Sequence, residues 1–116
     1  MTDSNGPIEK HPPLHPIHFR ILLALREAPL HGYRLIKEIE ARHNKRIEPA
    51  NLYRRIRKLR DEGLVEEVAA PEAAPDERER KFFQLSGHGR AVLAAEVGRM
   101  RELLEEAGAL IPGESA

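Results

Sequence analysis

Residues 48–65 read "EPANLYRRIRKLRDEGLV". Pro49 suits a first helical turn, where its missing N–H would have had no partner, and Gly63 suits the residue just past a helix end. Between them Leu52, Ile56 and Leu59 fall at i, i+4 and i+7, which makes one apolar stripe. With Leu52 at the centre of the buried face and about 100° per residue, Arg54, Arg57 and Lys58 fall on the opposite side. Asn51 and Tyr53 flank them. The stretch therefore predicts a helix with a core side and a basic side.

A helix opposite its own core has to be polar, and a basic helix taken alone is usually just a solvated one. Solvated faces, however, tend to alternate signs through i, i+4 pairs. Here Arg54, Arg55, Arg57, Lys58 and Arg60 fill five of seven consecutive positions before Asp61 and Glu62. The run is local, because 19 Lys and Arg balance 19 Asp and Glu over the 116 residues. From Arg42 to Arg60 eight basic residues oppose Glu48, a balance of +7, whereas Val92 to Ala116 carries −3. One end is basic and the other acidic, and charge distribution rather than its sum marks a polyanion surface.

Upstream, residues 15–27 place Ile21, Leu22 and Leu25 at helical spacing, with Pro29 as the stop. A second helix is predicted over 32–42, with Tyr33, Ile36 and Ile39 on its stripe, and "HNKRIE" connects it to the basic helix. Downstream, "LVEEVAA" and "RKFFQL" read as strands around a hairpin loop, "PEAAPDERE". Ser86 is a plausible N-cap for a fourth helix running to about residue 107. A short helix, a turn and a basic helix followed by a two-stranded hairpin is the order of a winged helix-turn-helix. The fold class is mainly α with a small β-hairpin (α+β). The predicted divisions are a poorly ordered arm over 1–14, a winged helix-turn-helix domain over 15–86, a C-terminal dimerisation helix over 87–107 and a tail over 108–116.

The partner this arrangement points to is double-stranded DNA. Asn pairs bidentately with adenine and Arg with guanine, so Asn51, Arg54 and Arg57 are the candidates for base readout. Lys58 shares the outward face, Tyr53 can donate to a phosphate oxygen, and Arg55, Arg60, Arg80 and Lys81 are candidates for neutralising phosphates. In the last helix Leu93, Val97, Met100, Leu104, Ala107 and Ile111 step by four and three, a heptad seam widened by Val92 and Leu103. A helix of about 20 residues spans about 30 Å, more than so small a domain can cover, so part of the seam predicts a partner helix. A homodimer is the economical choice, with Ile21, Leu22 and Leu25 of the first helix sharing the interface.

Three stretches, "LHGYRLIKEIE" (30–40), "NLYRRIRKLRDEGLVEE" (51–67) and "RKFFQLSGHGR" (80–90), resemble the PadR family of bacterial transcriptional regulators. The resemblance covers roughly 17–104. It implies a winged-helix dimer that represses transcription from a palindromic operator, with room for release by a small-molecule effector. Carried over by position, Asn51, Tyr53 and Arg54 approach DNA from the third helix, and Arg80 and Lys81 reach the flanking backbone or minor groove. The sequence departs from the pattern at Asn51, where many relatives carry Ser or Thr, and at Arg54, where they carry Pro. The hairpin loop departs as well, since Glu72, Asp76, Glu77 and Glu79 outnumber Arg78. An acidic tip is repelled by phosphates, which leaves the base of the hairpin as the contact.

Other functions find little support. The chain has no cysteine, which excludes disulfides and thiolate metal sites. His11, His15 and His18 lie in a Pro-stiffened segment with only Glu9 nearby, so no metal or other cofactor is expected. Ser86 and His88 lack a carboxylate partner and an elbow, so no catalytic site is expected. His31 and Tyr33 read as residues that begin and pack the second helix, and Phe82 and Phe83 as hairpin anchors. No apolar run approaches the ~18 residues of a membrane span, and "MTDSNGPIEK" lacks a signal-peptide core, which predicts a cytoplasmic protein. The competing reading is a winged-helix protein–protein interaction module that binds no operator. General chromosome coating would need a basic surface overall.

Overall fold

The computed structural model describes residues 13–43, 46–71 and 80–110. The elements in chain order are α1 (Pro16–Ala24), β1 (Leu30–His31), α2 (Gly32–His43), α3 (Pro49–Asp61), β2 (Val65–Val68), β3 (Phe82–Leu85) and α4 (Gly87–Glu106), followed by a 3-10 turn, Gly108–Leu110. The chain is mainly helical, with one small antiparallel sheet in the order β1-β3-β2. Phe83 on the central strand faces Leu30 on one side and Glu67 on the other.

The helix ends follow from local chemistry. His15 caps α1, its Nδ1 accepting the Ile17 N–H at 3.1 Å, and Pro16 takes the first helical position. The helix stops at Ala24, three residues before the expected end. Two arginine side chains help close this corner, Arg26 donating to the Leu23 carbonyl at 2.8 Å and Arg90 to that of Arg26 at 3.0 Å. The chain then turns to lay Leu30 and His31 against β3, a strand too short to leave a periodic signal. Helix α2 buries Leu35, Ile36 and Ile39. Tyr33, expected on that stripe, is instead 57% exposed.

Helix α3 ends in a Schellman turn. Gly63 has φ of 79°, its N–H bonds the Arg60 carbonyl at 2.9 Å, and the Leu64 N–H bonds that of Leu59 at 2.9 Å. Leu59 and Leu64 are both fully buried and supply the apolar contact of that motif. An L-residue at this φ is strained by about 1–2 kcal/mol. Gly63→Ala is therefore expected to lower the melting temperature by about 5 °C, read by far-UV circular dichroism. No change would mean the turn relaxes to another closure.

Ser86 caps α4 as expected. Its hydroxyl accepts the Gly89 N–H at 2.9 Å, and its own N–H donates to the Leu64 carbonyl at 3.1 Å. The end of α3 and the start of α4 are thereby clasped together. The core gathers Leu35, Ile39, Leu52, Ile56, Leu59, Leu64, Phe83 and Val92 with Ile21, Leu22 and Leu25 of α1. Phe82 and Phe83 are both buried in the sheet, Phe82 edge-on to His31 at 5.3 Å. Leu14, placed in the arm by its sequence, packs on this core, and its N–H donates to Glu96 of α4 at 3.2 Å. The acidic hairpin tip (72–79), Lys45, His11 and Ile111 lie outside the described residues. Among the described residues no helix is long and apolar enough to cross a membrane.

Candidate nucleic-acid interface

The apolar stripe of α3 fixes what its other side presents. Leu52, Ile56 and Leu59 are buried, so Tyr53, Arg54, Arg57, Lys58 and Arg60 are turned to solvent, with Asn51 half-buried at the rim. An Arg54 guanidinium nitrogen donates to the Asn51 side-chain oxygen, one turn earlier. Two of the three candidate base readers thus stand as one hydrogen-bonded pair. Lys58 meets Glu62 at 3.5 Å and Arg60 meets Glu67 at 3.4 Å. Exposed pairs of this kind contribute little stability and exchange readily for another anion. Arg80 and Lys81 are exposed immediately before β3, at the base of the hairpin.

Tyr53 lies against α2. A Cβ at Gly32 would overlap the Tyr53 hydroxyl, so the ring occupies space that only a glycine leaves open. Beside it, Lys37 Nζ stands 5.2 Å over the Tyr33 ring, and Arg34 is exposed. Neither α2 nor α3 carries an acidic residue in its first turn.

Arg55 differs from the expectation. It is half-buried and turned toward α1, with Nη1 3.4 Å from His15 Nδ1 and 3.4 Å from His18 Nε2. Its Nε is buried without a hydrogen-bond partner. The helical wheel carries this signal, since Arg55 lies only about 60° from the stripe centre at Leu52. His18 is itself buried, and its pKa is lowered from 6.5, first by desolvation and then by the Arg55 charge.

The dimerisation residues divide into two groups. Ile21, Leu22 and Leu25 are fully buried in the chain's own core and retain no surface to share with a partner. Val92 and Leu93 pack on the same core, and Val97 is partly buried against it. Glu96, also on that face, is buried and paired with Arg99 and the Leu14 N–H. Beyond it the seam comes free, with Met100 39%, Leu103 57% and Leu104 59% exposed. Between α1 and α4 runs a groove of about 470 Å³, lined by Leu23, Leu93 and Val97 and by Arg26, Arg90 and Arg101.

Comparison with known proteins agrees with this geometry. The structure resembles a PadR family transcription regulator from Clostridium difficile R20291, with a TM-score of 0.71, 18% identity, and coverage of 83% of this chain and 98% of that one. It resembles a PadR family transcriptional regulator from Eggerthella lenta at 28% identity, TM-score 0.61, covering 84% and 82%. A probable transcriptional regulator from Pseudomonas aeruginosa matches at 23% identity, TM-score 0.66, covering 88% and 70%. No curated protein matches the chain in sequence. The model of the PadR-like family of transcriptional regulators matches residues 21–95, well over half of the 116, and the chain belongs to that family.

Proposed function

We propose that the chain is a sequence-specific DNA-binding regulator that acts as a dimer and represses transcription from an inverted-repeat operator. The observation that carries this reading is α3. Its core stripe is buried, its outward side is basic, and Asn51 and Arg54 stand paired in its first turns, where a recognition helix meets base edges. Asn51, Arg54 and Arg57 discriminate bases in the major groove. Tyr53, Lys58, Arg60, Arg80 and Lys81 hold phosphates and set the register.

The exposed half of the α4 seam supports the dimer. Met100, Leu103 and Leu104 form an apolar strip on a helix whose last turns also carry Glu102, Glu105 and Glu106. The same acidic residues in a second copy complement the arginines of the α1–α4 groove. A two-fold pair would set two α3 helices about 34 Å apart, one turn of B-DNA. An effector that enters between the dimer helices would act on this spacing.

The test is the mass and salt dependence of the complex with a specific duplex. Two chains per duplex are expected, with log K falling against log salt by a slope of about −0.9 per neutralised phosphate. One chain per duplex would contradict the dimeric reading, and a salt-insensitive complex would contradict the phosphate contacts. Gly32→Ala supplies a local check, because its methyl group displaces the Tyr53 ring. Affinity is expected to fall by about threefold on every duplex alike, as phosphate contacts carry no sequence information. A change confined to one sequence would instead make Tyr53 a base reader.

A further inference from the structure

Among the five basic residues of 54–60, Arg55 is held back from solvent. A guanidinium is always charged and only donates. The ring nitrogens that face it, His15 Nδ1 and His18 Nε2, each at 3.4 Å, must therefore offer lone pairs. His15 Nδ1 also accepts the Ile17 N–H that caps α1. The two rings stand 5.4 Å apart. One arginine of the candidate recognition helix is thus tied to the first turn of α1 by two imidazole rings.

We propose that Arg55 is a positioning residue that seats α3 through His15 and His18, and that proton uptake by His18 weakens sequence discrimination by the DNA-binding face. The inference rests on the DNA-binding reading above. A proton on His18 Nε2 removes an acceptor of Arg55 and sets a cation against it. The seat of α3 on α1 then loosens, while Arg54 and Arg57 keep their charge. Discrimination falls, and general attraction to phosphates does not.

The groups around His18 set the direction. Burial lowers its pKa most, Arg55 and His15 follow, Lys58 adds to the effect, and Glu62 opposes it. The folded value lies below the ordinary 6.5, so the contact is complete above about pH 6.5 and is lost as pH falls through the folded value. The same sign holds for stability, because the unfolded chain takes up the proton first.

The test compares affinity for a selected duplex with affinity for a scrambled one, from pH 7.5 to 5.5 at constant salt. In the wild-type chain the ratio is expected to fall by about tenfold as His18 takes up its proton. His18→Gln, whose amide oxygen still accepts from Arg55 and does not titrate, is expected to flatten the profile. Arg55→Met is expected to show the lowered ratio already at pH 7.5. A wild-type ratio that does not change with pH overturns the inference, and so does a His18→Gln profile equal to that of the wild type. Loss of the ratio only in step with loss of helix by circular dichroism also overturns it, since the imidazoles would then merely stabilise the fold. Failure of the wild type to discriminate at pH 7.5 removes the DNA-binding reading itself, a result distinct from discrimination without pH dependence.

Discussion

Arg54→Ala is expected to weaken binding to the selected operator by on the order of a hundredfold and to flatten base preference at the position it reads. A good bidentate contact contributes about 1–3 kcal/mol. Removing Arg54 also takes away the donor that orients Asn51, so two readers are disturbed by one substitution. The side chain is exposed and outside the core, so the melting temperature should stay within about 2 °C. Binding curves on the operator and on single-base variants of it give both quantities. An equal loss on all duplexes would reassign Arg54 to a phosphate. Arg55→Ala should instead lower discrimination by loosening the seat of α3 on α1, rather than by removing a phosphate contact.

Leu104→Glu carries the second large effect. The residue is 59% exposed on the protomer, so the fold of a single chain loses little when it changes. In the proposed dimer the same residue is buried against the partner, where a charge without a counterpart is costly. Two-fold symmetry applies the change twice. Dissociation of the dimer is expected to become easier by at least about a thousandfold, given about 1.5–3 kcal/mol for each buried leucine plus the charge. Operator affinity would fall with it, while circular dichroism stays native. Sedimentation equilibrium reads the first and titration the second. A Leu104→Glu chain that remains dimeric would move the interface away from the free half of α4.

Much of this architecture was legible in the sequence, and the exceptions share a physical cause. The 3.6-residue period gave α3 and α4 almost to the residue, because Pro49 and Ser86 mark their starts and Gly63 the end of α3. The same period says which face is apolar, but not whose atoms cover it. Ile21, Leu22 and Leu25 looked like interface and are core, whereas Met100 and Leu104 on an equally apolar line are exposed. Strand β1 has only two residues, below the length at which alternation can register. Tyr33 kept the helical spacing of a core residue, but Leu35 took its place in the interior. Arg55 was grouped with its neighbours by charge, although its angle already placed it near the buried stripe. Its partners, His15 and His18, lie about 40 residues away, a proximity that only folding creates. Glu96 is the same case in reverse, a carboxylate on an apolar line whose partners are Arg99 and the Leu14 backbone.

The central claim is that two α3 helices read one symmetric site. Selection of bound sequences from a random duplex library by the purified chain, at about 0.15 M salt, tests it most directly. An enriched inverted repeat with half-sites about one helical turn apart is the expected result. Weak, salt-sensitive binding with no enriched sequence would contradict the claim and leave α3 a general polyanion surface.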